Sequence, residues 1–334
     1  MRNILIRTKG DVTNGMGHVQ RCLTLARQLE NLGQRVYFWT LPGTPGHERL
    51  LSAGYPVMTG EAVPMLRTPN PWRAIIVDVE NGPERAFLQA VRDTHPQAAL
   101  VVVGGSGYQL RDYEAVRELA DLEVYQSVLP TDGPAGRVLS GIEYIMIDAR
   151  FRDLAPDHRG GHVVVAMGGS DPHNLTPIAI NALGGLGRRV DVVLGPACAE
   201  YQGVVPYNVR LWRALPNMLE PMRGAALFVG AFGMLAYEAM AAGLPCVLTN
   251  WSESHAETSV ELERRGAVWS IGLWNELERA GLRERVGFLL SAPGELERMG
   301  NAGRALVDGR GVERVAERIV TAAADKAKAA SLAR

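Results

Sequence analysis

Three short stretches of this 334-residue chain combine glycines with side chains that can move a proton or hold an anion. The first is Asp11-Val12-Thr13-Asn14-Gly15-Met16-Gly17-His18. Gly15 and Gly17 permit a tight turn, and a helix N-terminus after them favours an anion or a developing negative charge. His18 offers an imidazole suited to acid–base chemistry near neutral pH. A histidine after a turn is ordinarily a cap or a surface residue, but in a Gly-rich strand-to-helix loop it is expected to face a ligand. The second stretch is Met167-Gly168-Gly169-Ser170-Asp171-Pro172-His173-Asn174. Its glycines free backbone N–H groups, and Ser170 or Asn174 is expected to cap the next helix. The third is Gly230-Ala231-Phe232-Gly233-Met234, with Glu238 one turn into the helix that follows. A glycine pair at a helix N-terminus suits a phosphate, and the glutamate carboxylate can accept two ribose hydroxyls. Each loop alone also reads as an ordinary capped turn; the three together point to a phosphate-bearing ligand.

The elements around these loops alternate apolar runs with amphipathic stretches, the pattern of βαβ units and parallel sheets. The first half predicts strands at Ile4–Thr8, Arg35–Thr40, Ala74–Asp78, Leu100–Val103 and Leu122–Tyr125, with helices near Gly17–Leu32 and Pro83–Thr94. On the first helix Val19, Cys22, Leu23, Ala26 and Leu29 share one face, and Gly33 follows as a C-cap. A second series follows a polar linker, Arg152–Gly161. It predicts strands at Val163–Met167, Val190–Leu194, Val209–Trp212, Leu227–Gly230, Cys246–Leu248 and Val268–Ile271. Helices are expected over Leu175–Leu186, Met234–Ala242, Ala256–Arg265, Asn275–Leu290, Glu295–Val307 and Val312–Ala330. The architecture implied is two doubly wound, Rossmann-like α/β domains facing a central cleft. Their bounds are 1–151 and 162–310, with a C-terminal helix over 311–334 packing back on the first domain. Ligands of such sheets sit beyond the carboxyl ends of the strands.

Composition narrows the functions. Lys and Arg number 35 against 36 Asp and Glu, and both halves are near neutral, so neither carries the excess of a nucleic-acid or anionic-membrane binder. No apolar run approaches the ~18 residues of a membrane span. The chain enters Ile4-Leu5-Ile6 with no signal peptide, so a cytoplasmic protein is expected. Cys22, Cys198 and Cys246 are too scattered for a disulfide framework or a zinc site, and no metal or cofactor is expected. The first loop resembles the start of a dinucleotide fingerprint, but Gln20 stands at its third glycine position. The second strand, Tyr37-Phe38-Trp39-Thr40, also lacks the terminal acid that would hold a ribose, which disfavours NAD.

A run of motifs resembles the UDP-sugar hydrolases of pseudaminic acid biosynthesis and their spore-coat polysaccharide relatives, a group with the GT-B fold of many glycosyltransferases. The matching residues are Gly15 through Ala26, Val77-Asp78, Gly141-Ile142-Glu143-Tyr144, Gly168 through Thr176, Gly195-Pro196, Asn217-Met218 and Gly230 through Pro245. They run in consistent order over roughly residues 1–270. The resemblance implies a UDP-sugar partner held mainly by the second domain. Glu238 would hold the ribose, and Gly169, Ser170, Asn174, Phe232, Gly233 and Met234 would hold the diphosphate. His18 matches the catalytic histidine, a general base that would activate water at the anomeric carbon. Asp78 would orient His18, bind a sugar hydroxyl or simply cap the next helix. Gly15, Gly17, Arg21, Ser254 and His255 fall on the substrate side.

Several positions depart from that pattern. Val79-Glu80-Asn81 replace sugar-facing His or Tyr residues, Phe232-Gly233-Met234-Leu235 replace a Gly-Gly-Ser-Thr run, and Ser254-His255 replace an Asn-Gln pair. The nucleotide frame is kept while the sugar and the acceptor stay open. A GT-B glycosyltransferase is therefore the alternative to the hydrolase, with Met65-Leu66 and Pro69–Trp72 as an apolar acceptor lip. A non-catalytic nucleotide-sugar binder and a hydrolysing 2-epimerase using Asp78 and Glu80 are the remaining readings.

Overall fold

A computed structural model describes residues 2–11, 15–61, 71–105, 110–213, 215–276 and 279–332. The contacts divide the chain into two compact units, Met1–Met146 with Arg310–Arg334, and Ile147–Gly309.

The first unit runs β1 (Arg2–Thr8), α1 (Gly17–Asn31), β2 (Gln34–Thr40), α2 (Pro45–Ser52), β3 (Val57–Thr59), β4 (Trp72–Asp78), α3 (Arg85–Thr94), β5 (Ala99–Gly104), α4 (Tyr113–Leu119), β6 (Leu122–Tyr125) and β7 (Val138–Ser140). Its seven strands are all parallel in the order β3-β2-β1-β4-β5-β6-β7. Both faces are covered, which is why its central strands read as continuous apolar runs. Ile4, Ile6, Val36, Phe38, Ala74 and Ile76 pack with α1 on one face. Leu5, Trp39, Ile75, Val77, Leu100 and Val102 pack on the other with Leu88 and Val91 of α3 and Ala115 and Val116 of α4. Gly33 closes α1 in the left-handed region at φ 74°, its N–H bonded to the Glu30 carbonyl.

The second unit runs β8 (His162–Ala166), α5 (Leu175–Leu183), β9 (Val190–Leu194), β10 (Val209–Arg213), α6 (Leu219–Met222), β11 (Ala225–Ala231), α7 (Met234–Ala241), β12 (Cys246–Asn250), α8 (Glu253–Arg264), β13 (Val268–Leu273), α9 (Arg279–Ser291) and α10 (Pro293–Leu306). Six parallel strands are ordered β10-β9-β8-β11-β12-β13. The last helix, α11 (Gly311–Leu332), belongs to the first unit. Its Val312, Val315, Ala316, Ile319, Ala322 and Ala323 form a stripe at helical spacing buried with α1 and the sheet.

Three features differ from the sequence expectation. The edge strands β3 and β7 are only three residues long, too short to carry a periodic signal. The stretch Arg152–Gly161 is not a free linker: Ala149–Asp153 forms a turn of 3-10 helix, Leu154 is buried and its carbonyl accepts from Arg304, all within the second unit. Trp72 is not part of an apolar lip but a buried residue of β4, edge-on to Tyr37 at 5.2 Å. Met65-Leu66 and Pro69-Asn70 lie outside the described residues, as do Val12-Thr13-Asn14. Among the described residues no helix is long and apolar enough to cross a membrane, and no cluster of ligand residues could hold a metal ion.

Candidate active site

Each sheet reverses its winding direction once, between β1 and β4 in the first and between β8 and β11 in the second. The open crevice at such a reversal is where doubly wound sheets take ligands. All three glycine-bearing loops follow one of these inner strands: Lys9–Met16 follows β1, Met167–Asn174 follows β8 and Phe232-Gly233 follows β11.

In the first unit, Thr8 ends β1 directly opposite Asp78, the last residue of β4. Asp78 is fully buried. His18, in the first turn of α1, sets Nδ1 2.7 Å from Asp78 Oδ1. A carboxylate only accepts, so the imidazole donates Nδ1–H and keeps the lone pair of Nε2 free. Arg21, one turn further along α1, donates Nε–H to Asp78 Oδ2 at 2.6 Å and Nη2–H to Oδ1 at 2.5 Å. The Cys22 thiol adds a fourth donor, 3.2 Å from Oδ2. Burial works against an ionised Asp78, but Arg21 and His18 outweigh it and hold the carboxyl well below the usual range. Burial also pushes the Cys22 thiol well up, so it is no nucleophile.

This arrangement sorts the expectations. Of the three readings of Asp78, its contacts match the orientation of His18; α3 begins after Glu84, so Asp78 caps nothing. His18 is no cap either, since Met16 occupies that position of α1. Arg21 was expected on the substrate side, yet the structure spends its guanidinium on Asp78. That pairing joins residues 57 apart in sequence and could not be read from local spacing. Gly15 turns with φ 72° and bonds its N–H to the Asp11 carbonyl, while Gly17 opens α1.

In the second unit, the loop after β8 carries three residues in the left-handed region, Gly168, Asp171 and Asn174. Neither Ser170 nor Asn174 caps α5. Asn174 stands at the cap position with φ 52° and no side-chain bond, and both Asp171 oxygens take its role, each 2.8 Å from the N–H of Leu175 or Thr176. The N-terminus of α5 thus already holds a carboxylate. The Gly169 carbonyl is bonded to Ala197 N–H, and a Cβ on Gly195 would lie 2.5 Å or less from the Gly168 and Gly169 carbonyl oxygens.

The loop after β11 is left open. Gly233 precedes α7 with no side-chain cap, no acidic residue occupies the first turn, and a Cβ built there would meet nothing within 4 Å. Phe232 is buried and bonds its N–H to the Thr249 carbonyl, leaving Met234 as the first residue of α7. Glu238 lies on α7 with 7% exposure, and among the described residues no hydrogen bond reaches its carboxyl. Burial, helped by the charge of Asp148, pushes that carboxyl up to about 8. His255 sits 5.3 Å from the Phe232 ring, its Nδ1 is buried without a partner among the described residues, and burial lowers its basicity. Ser254 lies beside it in the first turn of α8, which starts at Glu253 rather than Ala256. An aromatic group the sequence reading passed over lies close by: His173 stacks on Trp274 with centroids 3.7 Å apart and tilts against Trp251.

No family model matches the chain. It is 25% identical over 284 residues to an uncharacterized protein of Methanocaldococcus jannaschii, covering 76% of this chain and 57% of the relative. It is 24% identical over 192 residues to the spore coat polysaccharide biosynthesis protein SpsG of Bacillus subtilis, covering 54% of this chain and again 57% of the relative. The chain therefore spans little more than half the length of either. Among solved structures, MurG of Acinetobacter baumannii matches with a TM-score of 0.68 at 15% identity, covering 96% of this chain and all of the other. A UDP-N-acetylglucosamine 2-epimerase matches with a TM-score of 0.60 at 13% identity over 96% of each chain. Two parallel-sheet α/β domains of the GT-B type are the fold these structures share with this chain.

Proposed function

We propose that this chain transfers a sugar from a nucleotide donor, its first unit supplying the general base and its second unit holding the nucleotide. The observation that carries this reading is the His18–Asp78 pair, a buried carboxylate fixing an imidazole with its other nitrogen unspent. An acceptor hydroxyl would lose its proton to His18 Nε2 as its oxygen bonds to the anomeric carbon. The bond from that carbon to the phosphate oxygen breaks, and its electron pair leaves with the nucleoside diphosphate. The uncapped N-terminus of α7 at Gly233 and Met234 suits the departing diphosphate, with Phe232 beneath it. Glu238 would accept the ribose hydroxyls. Gly169, Ser170 and Asn174 would line the diphosphate through backbone and hydroxyl groups, and Gly15, Gly17, Ser254 and His255 would face the sugar. UDP as the nucleotide rests on the motif resemblance. The spore-coat similarity supports a place in polysaccharide synthesis, with the hydroxyl of a glycan as acceptor.

Hydrolysis is the second reading, with water in place of the acceptor and the same base. The runs Gly15 through Ala26 and Gly168 through Thr176 favour it, since they match the UDP-sugar hydrolases. The epimerase reading loses ground because Asp78 is sealed by Arg21, His18 and Cys22, which leaves only the exposed Glu80 for proton abstraction. Phosphorus NMR of UDP-N-acetylglucosamine and of the UDP-linked 2,4-diacetamido-trideoxy sugar, with and without an oligosaccharide acceptor, separates these readings. Release of UDP only with acceptor is expected for the transferase, and release without it for the hydrolase. His18→Ala is expected to slow either by roughly 10²–10⁴-fold. Unchanged turnover in that variant would discard His18 as the base, and tight UDP binding without turnover of either donor would leave a binding protein.

A further inference from the structure

We infer that Arg21 is a positioning residue that holds Asp78 in place and sets the proton affinity of the His18–Asp78 pair, and not a ligand for the substrate. This rests on the reading of His18 as the base, although its test needs no turnover. His18 and Arg21 are three residues apart on α1, so both side chains leave the same face and meet Asp78 together. The guanidinium grips the carboxylate as a fork, one N–H to each oxygen. With Cys22 Sγ also on Oδ2, both oxygens are occupied twice. The buried guanidinium has no reason to turn toward a ligand while Asp78 remains charged.

Arg21 Nη2 also lies 2.9 Å from His18 Nδ1. Asp78 Oδ1, 2.7 Å from Nδ1, takes the ring hydrogen, so the guanidinium N–H beside it is directed at the same oxygen and not at the ring. The fork therefore acts through Asp78, whose Oδ1 fixes which nitrogen of His18 carries the proton. It also opposes the protonated ring. A lone buried carboxylate would stabilise the imidazolium and keep Nε2 blocked to higher pH, whereas a carboxylate already shared with a cation at that distance does so far less. The other groups around the pair are the Cys22 thiol on α1 and the Thr8 hydroxyl on β1, and the cluster that α2 and α11 add against α1 is apolar.

The test is nitrogen-15 NMR of the histidine rings across pH 4–9 in the full chain, with the His18 signal assigned from its loss in His18→Gln. The wild type is expected to show the Nδ1–H tautomer. Arg21→Met is expected to raise the His18 midpoint by about one unit or more, a tenfold or greater gain in proton affinity. The acid limb of the turnover profile should move the same way, while KM for the donor changes less than about twofold, as for a residue that touches no substrate. Arg21→Met/Asp78→Asn leaves no buried charge and controls for folding; its midpoint should fall below that of Arg21→Met. Where Arg21→Met does not fold, Arg21→Lys keeps the charge without the fork and is expected to shift the midpoint upward by less. An unchanged midpoint in a cooperatively melting Arg21→Met or Arg21→Lys protein would overturn the inference. So would a donor KM raised tenfold with the midpoint unmoved, which would return Arg21 to the substrate. If neither sugar donor is ever consumed, the transferase reading falls while the NMR result still decides the role of Arg21.

Discussion

At the reversal point of the first sheet, His18, Arg21, Cys22 and Asp78 spend their polar atoms on one another; at that of the second, Glu238 and the N-terminus of α7 have no such partners among the described residues. The two crevices share a topology and differ in what is left free. The first leaves one imidazole nitrogen, backed by a fixed charge, which is what a proton transfer needs. The second leaves donors and a buried carboxyl, which is what a polar, anionic ligand could satisfy. Within the second sheet the contrast recurs between neighbouring loops: Asp171 has already closed the N-terminus of α5, and Gly233 leaves that of α7 open. Loops at equivalent places in one sheet are thus diverted to separate tasks by one or two side chains.

The largest effect should come from breaking the closed crevice. Asp78→Ala strands the buried Arg21 guanidinium without its partner, and breaking a buried pair from one side costs roughly 3–5 kcal/mol. Urea unfolding should show that loss, with Asp78→Asn losing less because the amide still accepts from Arg21. A loss under about 1 kcal/mol for Asp78→Ala would mean that the network is solvated and not closed.

The open crevice should instead reveal itself through pH. The Glu238 carboxyl is pushed up to about 8 in the folded chain, against an ordinary glutamate near 4.5. A raised carboxyl binds its proton more tightly folded than unfolded, so its contribution is fully present below about pH 4.5 and is lost as pH rises through about 8. The melting temperature of the wild type should therefore fall relative to Glu238→Gln between pH 5 and 8. Ribose hydroxyls donating to Glu238 would favour the charged form, so UDP should bind with release of a proton and more tightly as pH rises across that range. Calorimetry in two buffers of different ionisation enthalpy measures that proton; no release would place the ribose elsewhere.

How much of this was legible beforehand follows from local versus distant causes. The inner strands were readable because both of their faces are buried, so Val163-Val164-Val165 and Leu100 through Val103 are apolar at every position. The edge strands Val57–Thr59 and Val138–Ser140 were not, because three residues are too few to show a period. His18 and Glu238 were legible from their glycine loops. The fork of Arg21 on Asp78 was not, since it depends on α1 lying against β4 from 57 residues away. The capping of α5 was misread for a subtler reason. Asn174 suits a cap by residue type and stands at the cap position, but its left-handed backbone leaves its side chain without a capping bond, and Asp171, itself at φ 43°, supplies both acceptors instead.

That cap gives the third test. Asp171→Ala removes both acceptors from the N-terminus of α5 and should cost about 0.5–2 kcal/mol in urea unfolding, while Asn174→Ala costs less than about 0.5 kcal/mol. If the two losses were equal, the distinction between a closed α5 and an open α7 would lose its basis.

The smallest expected change in stability is also the sharpest probe of openness. Gly233 has an extended backbone with φ 160°, and a Cβ added to it meets nothing within 4 Å, so neither strain nor overlap opposes an alanine there. Gly233→Ala should shift unfolding by less than about 0.5 kcal/mol. The added methyl would nevertheless occupy the space in front of the first N–H groups of α7. A diphosphate seated on those groups must approach the backbone as only glycine allows, so the variant should bind UDP at least about tenfold more weakly, near 1.4 kcal/mol. Uridine, which lacks the diphosphate, should bind both proteins alike. Equal loss for UDP and uridine would mean that the methyl disturbs Glu238 or Phe232, and no loss for either would mean that the diphosphate does not use the open end of α7.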